Sequence, residues 1–227
     1  MHYEVLTSNV AQVEADVLVV GFFAADAGKE KKKEALDGPV YTPSALEVES
    51  ASSGALSRLI ASGDITGKKG ESVVLYALEG IKARRVLVLG LGEIGKFDAQ
   101  AYVALHRKIA AKAGAQSIVL TSEEWTPEGR TYAWAARSAV RAILFGGAKI
   151  KGLKTKPVEE KPLKSVFWVT NDEQAQNEVA LAVRQGAALA QAMIWGKQLA
   201  DLPPNICTPS FVAEAAQALA EEINTEK

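Results

Sequence analysis

Two stretches of this chain leave little choice of architecture. After Asp16 it reads Val-Leu-Val-Val-Gly-Phe-Phe, and after Arg85 it reads Val-Leu-Val-Leu, neither broken by a polar side chain. A strand with one wet face alternates apolar and polar residues; a strand that does not alternate needs cover on both faces. Residues 15–23 and 84–90 are therefore expected to be central strands of a sheet sandwiched between helices. Further strands are expected at 2–6, 72–78, 117–120 and 164–170.

Helical periodicity fills the spaces between them. Tyr102, Leu105, Ile109 and Ala113 line one side of a helix over 98–112, begun at Phe97 or Asp98 and ended by Gly114. Residues 128–145 form another helix, closed by Gly146-Gly147, and 53–60 a short one that stops near Gly63. Residues 28–37 are lysine-rich and read equally as a short helix or a loop, while 149–164, with Pro157 and Pro162, read as an extended excursion. From Asn171 or Asp172 a long helix runs to about Ala200, with Val179, Val183, Ala187, Ala190 and Ile194 on one side. At about 1.5 Å per residue it is roughly 40 Å long. It either joins two bodies of structure or packs inside one.

Strand and helix alternate with short connections. The fold class is α/β, three-layered, with a mixed or mostly parallel sheet and helices on both faces. Leu202-Pro203-Pro204-Asn205 breaks the long helix, and Thr208 and Pro209 open another with Val212, Ala216, Leu219 and Ile223 as its apolar stripe. That stripe needs a partner surface, as the start of a second domain would provide. Docking back on the main body is the alternative.

Composition limits the function classes. The 227 residues are 48% hydrophobic, with 26 Lys plus Arg against 27 Asp plus Glu. That balance gives no support to whole-molecule attraction to nucleic acid or an anionic membrane. No apolar run reaches the length of a membrane span and no signal-like segment opens the chain, so the expected location is cytoplasmic. Cys207, the single cysteine, has no internal disulfide partner and reads as a structural thiol.

Candidate chemistry is sparse. Gly90, Gly92 and Gly95 have dinucleotide-fingerprint spacing after a strong strand, and are the one ligand-binding candidate. The acidic residue that should follow at the end of the next strand is missing, since Glu123 comes too late, and a tight strand-to-helix turn accounts for the glycines equally. Residues 63–69 faintly resemble a phosphate loop, one residue short and with Lys69 in place of the magnesium-binding hydroxyl. His2 and His106 are the only histidines, no HExxH or paired cysteines occur, and no spacing proposes a metal site. Ser44, Ser53, Ser57 and Ser138 lack a nucleophile-elbow context. The lysines of 29–33, 68–69 and 149–164 are diluted by Glu30, Glu34, Glu159 and Glu160 and read as solvated faces.

The stretch Gly196-Lys197-Gln198-Leu199-Ala200-Asp201-Leu202-Pro203-Pro204-Asn205, followed by Thr208-Pro209-Ser210, resembles the segment that opens the catalytic domain of cytosolic leucyl aminopeptidases, the M17-type metallopeptidases. Asp16 to Gly21, Gly54-Ala55-Leu56 through Gly70-Glu71, and Arg85 to Gly92 resemble earlier landmarks of that family in the same order. Lys197 stands where an arginine is usual and Asp201 where an asparagine is common.

The resemblance implies a macro-domain-like N-terminal domain over 1–170, a linking helix over 171–200 and the beginning of a truncated catalytic domain over 201–227. It implies a parent that is a cytoplasmic homohexamer and uses two divalent ions, zinc or manganese, to release N-terminal amino acids from peptides. In the family those ions and the catalytic side chains belong to the rest of the catalytic domain. No catalytic or metal-binding role falls on any residue here, and no cofactor is implied for this stretch. A free-standing macro-like domain that binds a nucleotide or ADP-ribose, or a DNA-binding domain, is the alternative.

Overall fold

The computed structural model describes residues 1–25, 38–148, 163–170, 172 and 174–225. The lysine-rich segment of 28–37 and nearly all of 149–164 lie outside them. The described strands are β1 (His2–Leu6), β2 (Val17–Phe23), β3 (Val40–Tyr41), β4 (Ser72–Tyr76), β5 (Arg85–Gly90), β6 (Ser117–Leu120) and β7 (Ser165–Val169). The helices are α1 (Pro43–Ala51), α2 (Ala55–Ala61), α3 (Ala99–Ala113), α4 (Tyr132–Gly147), α5 (Gln176–Asp201) and α6 (Pro209–Thr225).

The sheet runs β1-β7-β6-β2-β5-β4. All neighbours are parallel except β4, antiparallel on the β5 edge, and β3, which pairs antiparallel with Phe22 and Phe23 at the end of β2. This is the expected three-layer α/β fold with a mixed, mostly parallel sheet.

The unbroken apolar runs serve both faces. Val17, Val19, Leu87, Leu89, Ile118 and Leu120 join the core under α3, α4 and α5. Leu18, Val20, Val86, Val88 and Val119 join the opposite core under α1 and α2. Asp16 ties the amino ends of three strands together. Its carboxylate accepts from the backbone N–H of Gln116 at 2.8 Å and of Ser117 at 3.2 Å, and lies 3.6 Å from Arg84.

Two helix contacts depend on glycine. A Cβ on Gly186 of α5 would sit 2.5 Å from the Arg137 carbonyl oxygen of α4, and one on Gly146 of α4 would sit 2.6 Å from that of Arg107 of α3. The backbones approach closer there than any side chain allows.

Some expectations need correction. The helix expected from residue 128 begins at Tyr132, because Thr131 caps it and residues 127–130 form a turn, in which the Arg130 N–H donates to the Pro127 carbonyl at 3.1 Å and Gly129 takes the left-handed conformation; a separate 3₁₀ turn occupies Ser122–Trp125. Helix α1 and strand β3 were not expected. Asp98 does cap α3, accepting from Ala101 N–H at 2.7 Å, and Gly114 ends it in the left-handed region. Thr208 caps α6, with Pro209 its first residue.

Helix α5 changes character along its length. Val179, Ala182, Val183, Gly186, Ala187 and Ala190 are buried, and from Gln191 onward no residue of it is. No described side chain of α6 is buried either. No helix among the described residues is long and apolar enough to cross a membrane.

Candidate functional site

In open α/β sheets ligands settle outside the carboxyl ends of the strands, where the strand order reverses. Here that point is the end of β2. The chain passes from β5 on one side of it to β6 on the other. The glycine turn after β5, the 3₁₀ turn after β6 and the start of α1 after β3 are the segments at that end.

The glycine turn is packed by the chain itself. Gly92 donates its N–H to the Gly67 carbonyl at 2.8 Å, and Gly70 donates to the Gly90 carbonyl at 3.2 Å. A Cβ on Gly90 would lie 2.3 Å from the Lys68 carbonyl oxygen, and one on Gly67 would lie 2.8 Å from the Ala24 backbone. The two glycine loops of the sequence thus meet each other. Gly95 stands apart in a 3₁₀ turn, with nothing within 4 Å of its Cβ position.

Loop 63–71, which faintly resembled a phosphate cradle, holds an anion of its own. The Glu71 carboxylate accepts from the N–H of Thr66 at 2.7 Å, the N–H of Lys68 at 3.2 Å and the Thr66 hydroxyl at 2.9 Å. Desolvation pushes this carboxyl upward, but the hydrogen bonds from Thr66, Lys68 and Gly67 outweigh it and hold its pKa below the ordinary value. Glu124, on the turn after β6, does the same at the start of α1. It accepts from the Ser44 N–H at 3.0 Å and the Ser44 hydroxyl at 2.6 Å. The Glu49 carboxylate takes the Leu56 N–H at 2.7 Å at the start of α2.

Beneath these loops lies a buried polar cluster that sequence spacing did not reveal. His106 of α3 is wholly buried. Its Nδ1 lies 2.7 Å from the Tyr102 carbonyl, which can only accept, so Nδ1 carries the proton. Nε2 then accepts from the Ser122 hydroxyl, also at 2.7 Å. The imidazole stacks on Trp125 with centroids 5.4 Å apart. Burial pushes its pKa down to about 4, against a smaller upward pull from the Tyr102 carbonyl. Glu123, beside Ser122, accepts from Thr170 Oγ1 at 3.0 Å and Trp168 Nε1 at 3.3 Å. A serine hydroxyl on a histidine nitrogen is a nucleophile–base geometry. Here both residues are sealed from solvent, so no substrate reaches the pair and its role is to close the core.

His2 lies on edge strand β1, exposed, and 3.2 Å from Glu4. Cys207 is half-buried in the turn before α6. Among the described residues no group of three or more His, Cys, Asp or Glu side chains is placed to hold a metal ion.

Comparison with known proteins decides the lineage. Residues 19–157 match the family model described as "Cytosol aminopeptidase family, N-terminal domain". The chain belongs to the cytosol aminopeptidase family.

Curated relatives in the family include a probable cytosol aminopeptidase of Azoarcus sp. (strain BH72), 33% identical over 98% of this chain and 43% of the relative. Another, from Xanthomonas oryzae pv. oryzae (strain MAFF 311018), is 35% identical over 92% of this chain and 40% of the relative. The chain thus spans less than half the length of the cytosol aminopeptidases it matches. A mutant of tomato leucine aminopeptidase superposes with a TM-score of 0.75 at 20% identity, over 98% of this chain and 42% of that one. The bottromycin maturation enzyme BotP superposes with a TM-score of 0.63 at 22% identity, over 92% and 38%. At such identities the likeness is one of fold.

Proposed function

We propose that this chain is the non-catalytic N-terminal part of a metal-dependent leucyl aminopeptidase, a hydrolase that releases N-terminal amino acids from peptides. The observation that carries the reading is the family match over the α/β body, residues 19–157. In this reading 1–170 is the N-terminal domain, 171–200 the linking helix and 201–227 the start of the catalytic domain. The change along α5, packed up to Ala190 and unburied beyond, supports a helix that leaves one body for another. So does the amphipathic α6, whose Val212 and Ile223 are exposed.

The peptide substrate, the two divalent ions and their ligands then belong to the rest of the catalytic domain. The parent is proposed to be a homohexamer. The relatives' name, cytosol aminopeptidase, supports a cytoplasmic location. The role left to this domain is to scaffold the assembly and restrict access to the active site. Gly90, Gly92 and Gly95 act in it as turn residues. A free-standing nucleotide- or ADP-ribose-binding domain is less well supported, because Glu71 and Glu124 use the N–H groups that would hold phosphate.

The test is metal analysis of the purified chain after dialysis against manganese or zinc, with a leucyl-anilide assay in the same buffers. Neither a retained pair of ions nor turnover is expected. Two tightly held ions per chain with steady hydrolysis would place the chemistry in these residues and overturn the reading.

A further inference from the structure

The two edges of the sheet are finished differently. Strand β1 pairs only with β7, and β4 only with β5. On β1 the His2 N–H donates to the Lys164 carbonyl and the Leu6 carbonyl accepts from the Thr170 N–H, so alternate residues face β7 and Tyr3 and Val5 turn their backbone groups outward. That edge carries the exposed pair His2 and Glu4, and the Gln176 amide of α5 donates to the Val5 carbonyl at 3.4 Å. Charge and side-chain cover are common means of keeping an edge from pairing with another chain.

Strand β4 has neither. Ser72, Val73, Val74, Leu75 and Tyr76 include no charge and no proline. The Gly90 N–H donates to the Glu71 carbonyl at 3.0 Å and the Ala77 N–H to the Arg84 carbonyl at 3.1 Å. Antiparallel bonding alternates, so Glu71, Val73, Leu75 and Ala77 face β5, while the N–H and C=O groups of Ser72, Val74 and Tyr76 face away from the sheet. Among the described residues no partner meets those outward groups. No side chain of β4 is fully buried, and Tyr76 is 70% exposed.

We propose that β4 is the seat of a two-fold contact between two copies of this chain, in which antiparallel β4–β4 pairing joins their sheets edge to edge. The strand is complementary to itself. One register uses every outward group: it sets Val74 opposite Val74, and Ser72 of each copy opposite Tyr76 of the other, each opposed pair exchanging two hydrogen bonds. Val74 packs on the core under α3, and Val73 and Leu75 on the opposite core. In this register Val73 of one copy meets Leu75 of the other, so both apolar layers run on across the joint. No charge lies within the paired strands. Lys112, whose ammonium donates to the Ser72 hydroxyl, comes beside the Tyr76 ring of the other copy, a favourable cation–aromatic pairing. On β1 the register that uses both outward residues opposes Glu4 to Glu4, which disfavours the same contact there. The contact rests on the sheet edge alone and is independent of the family reading above.

Analytical ultracentrifugation of the full chain from ~1 to ~300 μM should show a monomer–dimer equilibrium with a Kd of about 1–100 μM, as suits a small interface. Tyr76→Lys brings a charge to the paired edge, and Val74→Pro removes one outward N–H but no bond to β5; each should raise Kd about tenfold or more. Removing the residues after Ala200 should leave Kd within about twofold, which separates this contact from association through α6. Cross-linking reads the register. With Cys207→Ser in place, Val74→Cys should give a disulfide-linked dimer under mild oxidation, because directly opposed Cα atoms about 5.5 Å apart suit a disulfide. Tyr76→Cys should not, since the two copies of that residue lie more than about 13 Å apart. A monomer at ~300 μM, a dimer abolished by the truncation but untouched by Tyr76→Lys, or Tyr76→Cys linking as readily as Val74→Cys would each overturn the proposal.

Discussion

His106 makes the stability of this fold depend on pH in a calculable way. An exposed imidazole titrates near 6.5, whereas in the folded chain burial lowers its pKa to about 4. The folded state therefore holds the neutral form more tightly than the unfolded state does. The stabilisation is complete above the unfolded pKa, declines as pH falls below about 6.5, and is exhausted near 4. A difference of about 2.5 units at ~1.36 kcal/mol per unit corresponds to roughly 3 kcal/mol over the full range. Between about pH 7.5 and 5 the part lost is ~2 kcal/mol, in a window where most carboxylates remain ionised.

Urea denaturation at several pH values across that window measures the loss. The control is His106→Gln, whose absolute stability is lower but whose pH dependence should be flat there to within about 0.5 kcal/mol. The only other histidine, His2, is exposed on the sheet edge. The groups around the imidazole are the rings of Tyr102 and Trp125, the Tyr102 carbonyl and the Ser122 hydroxyl, none of which titrates in the window. If His106→Gln lost stability on acidification as steeply as the natural chain, the sealed neutral imidazole would not be the cause.

Glycines in α5 give opposite expectations for one substitution. Gly186→Ala should cost ~1–3 kcal/mol by forcing α4 and α5 apart at Arg137, although Ala usually gains about 1 kcal/mol over Gly in a helix. Gly196→Ala, where no atom lies within 4 Å of the Cβ position, should add ~0.5–1 kcal/mol. Urea midpoints of both variants check the pair, and a stable Gly186→Ala chain would refute the close α4–α5 contact. Removing residues after Ala200 should leave Tm within about 3 °C, since none of the described side chains removed is buried; a larger drop in calorimetry would mean that α6 packs on the body.

The main elements were legible because the signals behind them are local. The unbroken runs at Val17 and Val86 announced doubly covered strands, and Asp98, Gly114, Thr208 and Pro209 marked helix ends. Helix α1 escaped although Thr42 and Pro43 carry the same start signal as Thr208 and Pro209, because Ala45 and Val48 are its only buried apolar residues. The start of α4 was misplaced because Glu128, Gly129 and Arg130 belong to a turn off Pro127 that runs directly into the Thr131 cap. What governs the candidate site could not be read at all. Glu124 reaches Ser44 across 80 positions, and His106 meets Ser122 only because α3 lies beside the end of β6. No spacing rule links such pairs.

Those long-range contacts bear on how this domain works. A βα architecture gathers backbone N–H groups at the carboxyl end of its sheet, and they attract anions of any origin. In this chain the anions are its own. The Glu71 carboxylate is separated by only a few residues from the N–H groups it occupies, and Glu124 is held over Ser44 by the turn after β6. A tethered group acts at an effective concentration of about millimolar or more. A diffusing phosphate must compete with that and must also leave the displaced carboxylate without its donors. The glycine loops are closed in the same way, since Gly67 and Gly70 are bonded to Gly92 and Gly90. The end of the sheet that could have taken a ligand is thus committed to holding the start of α1 and loop 63–71 in place, an arrangement that agrees with the scaffolding role proposed for this domain.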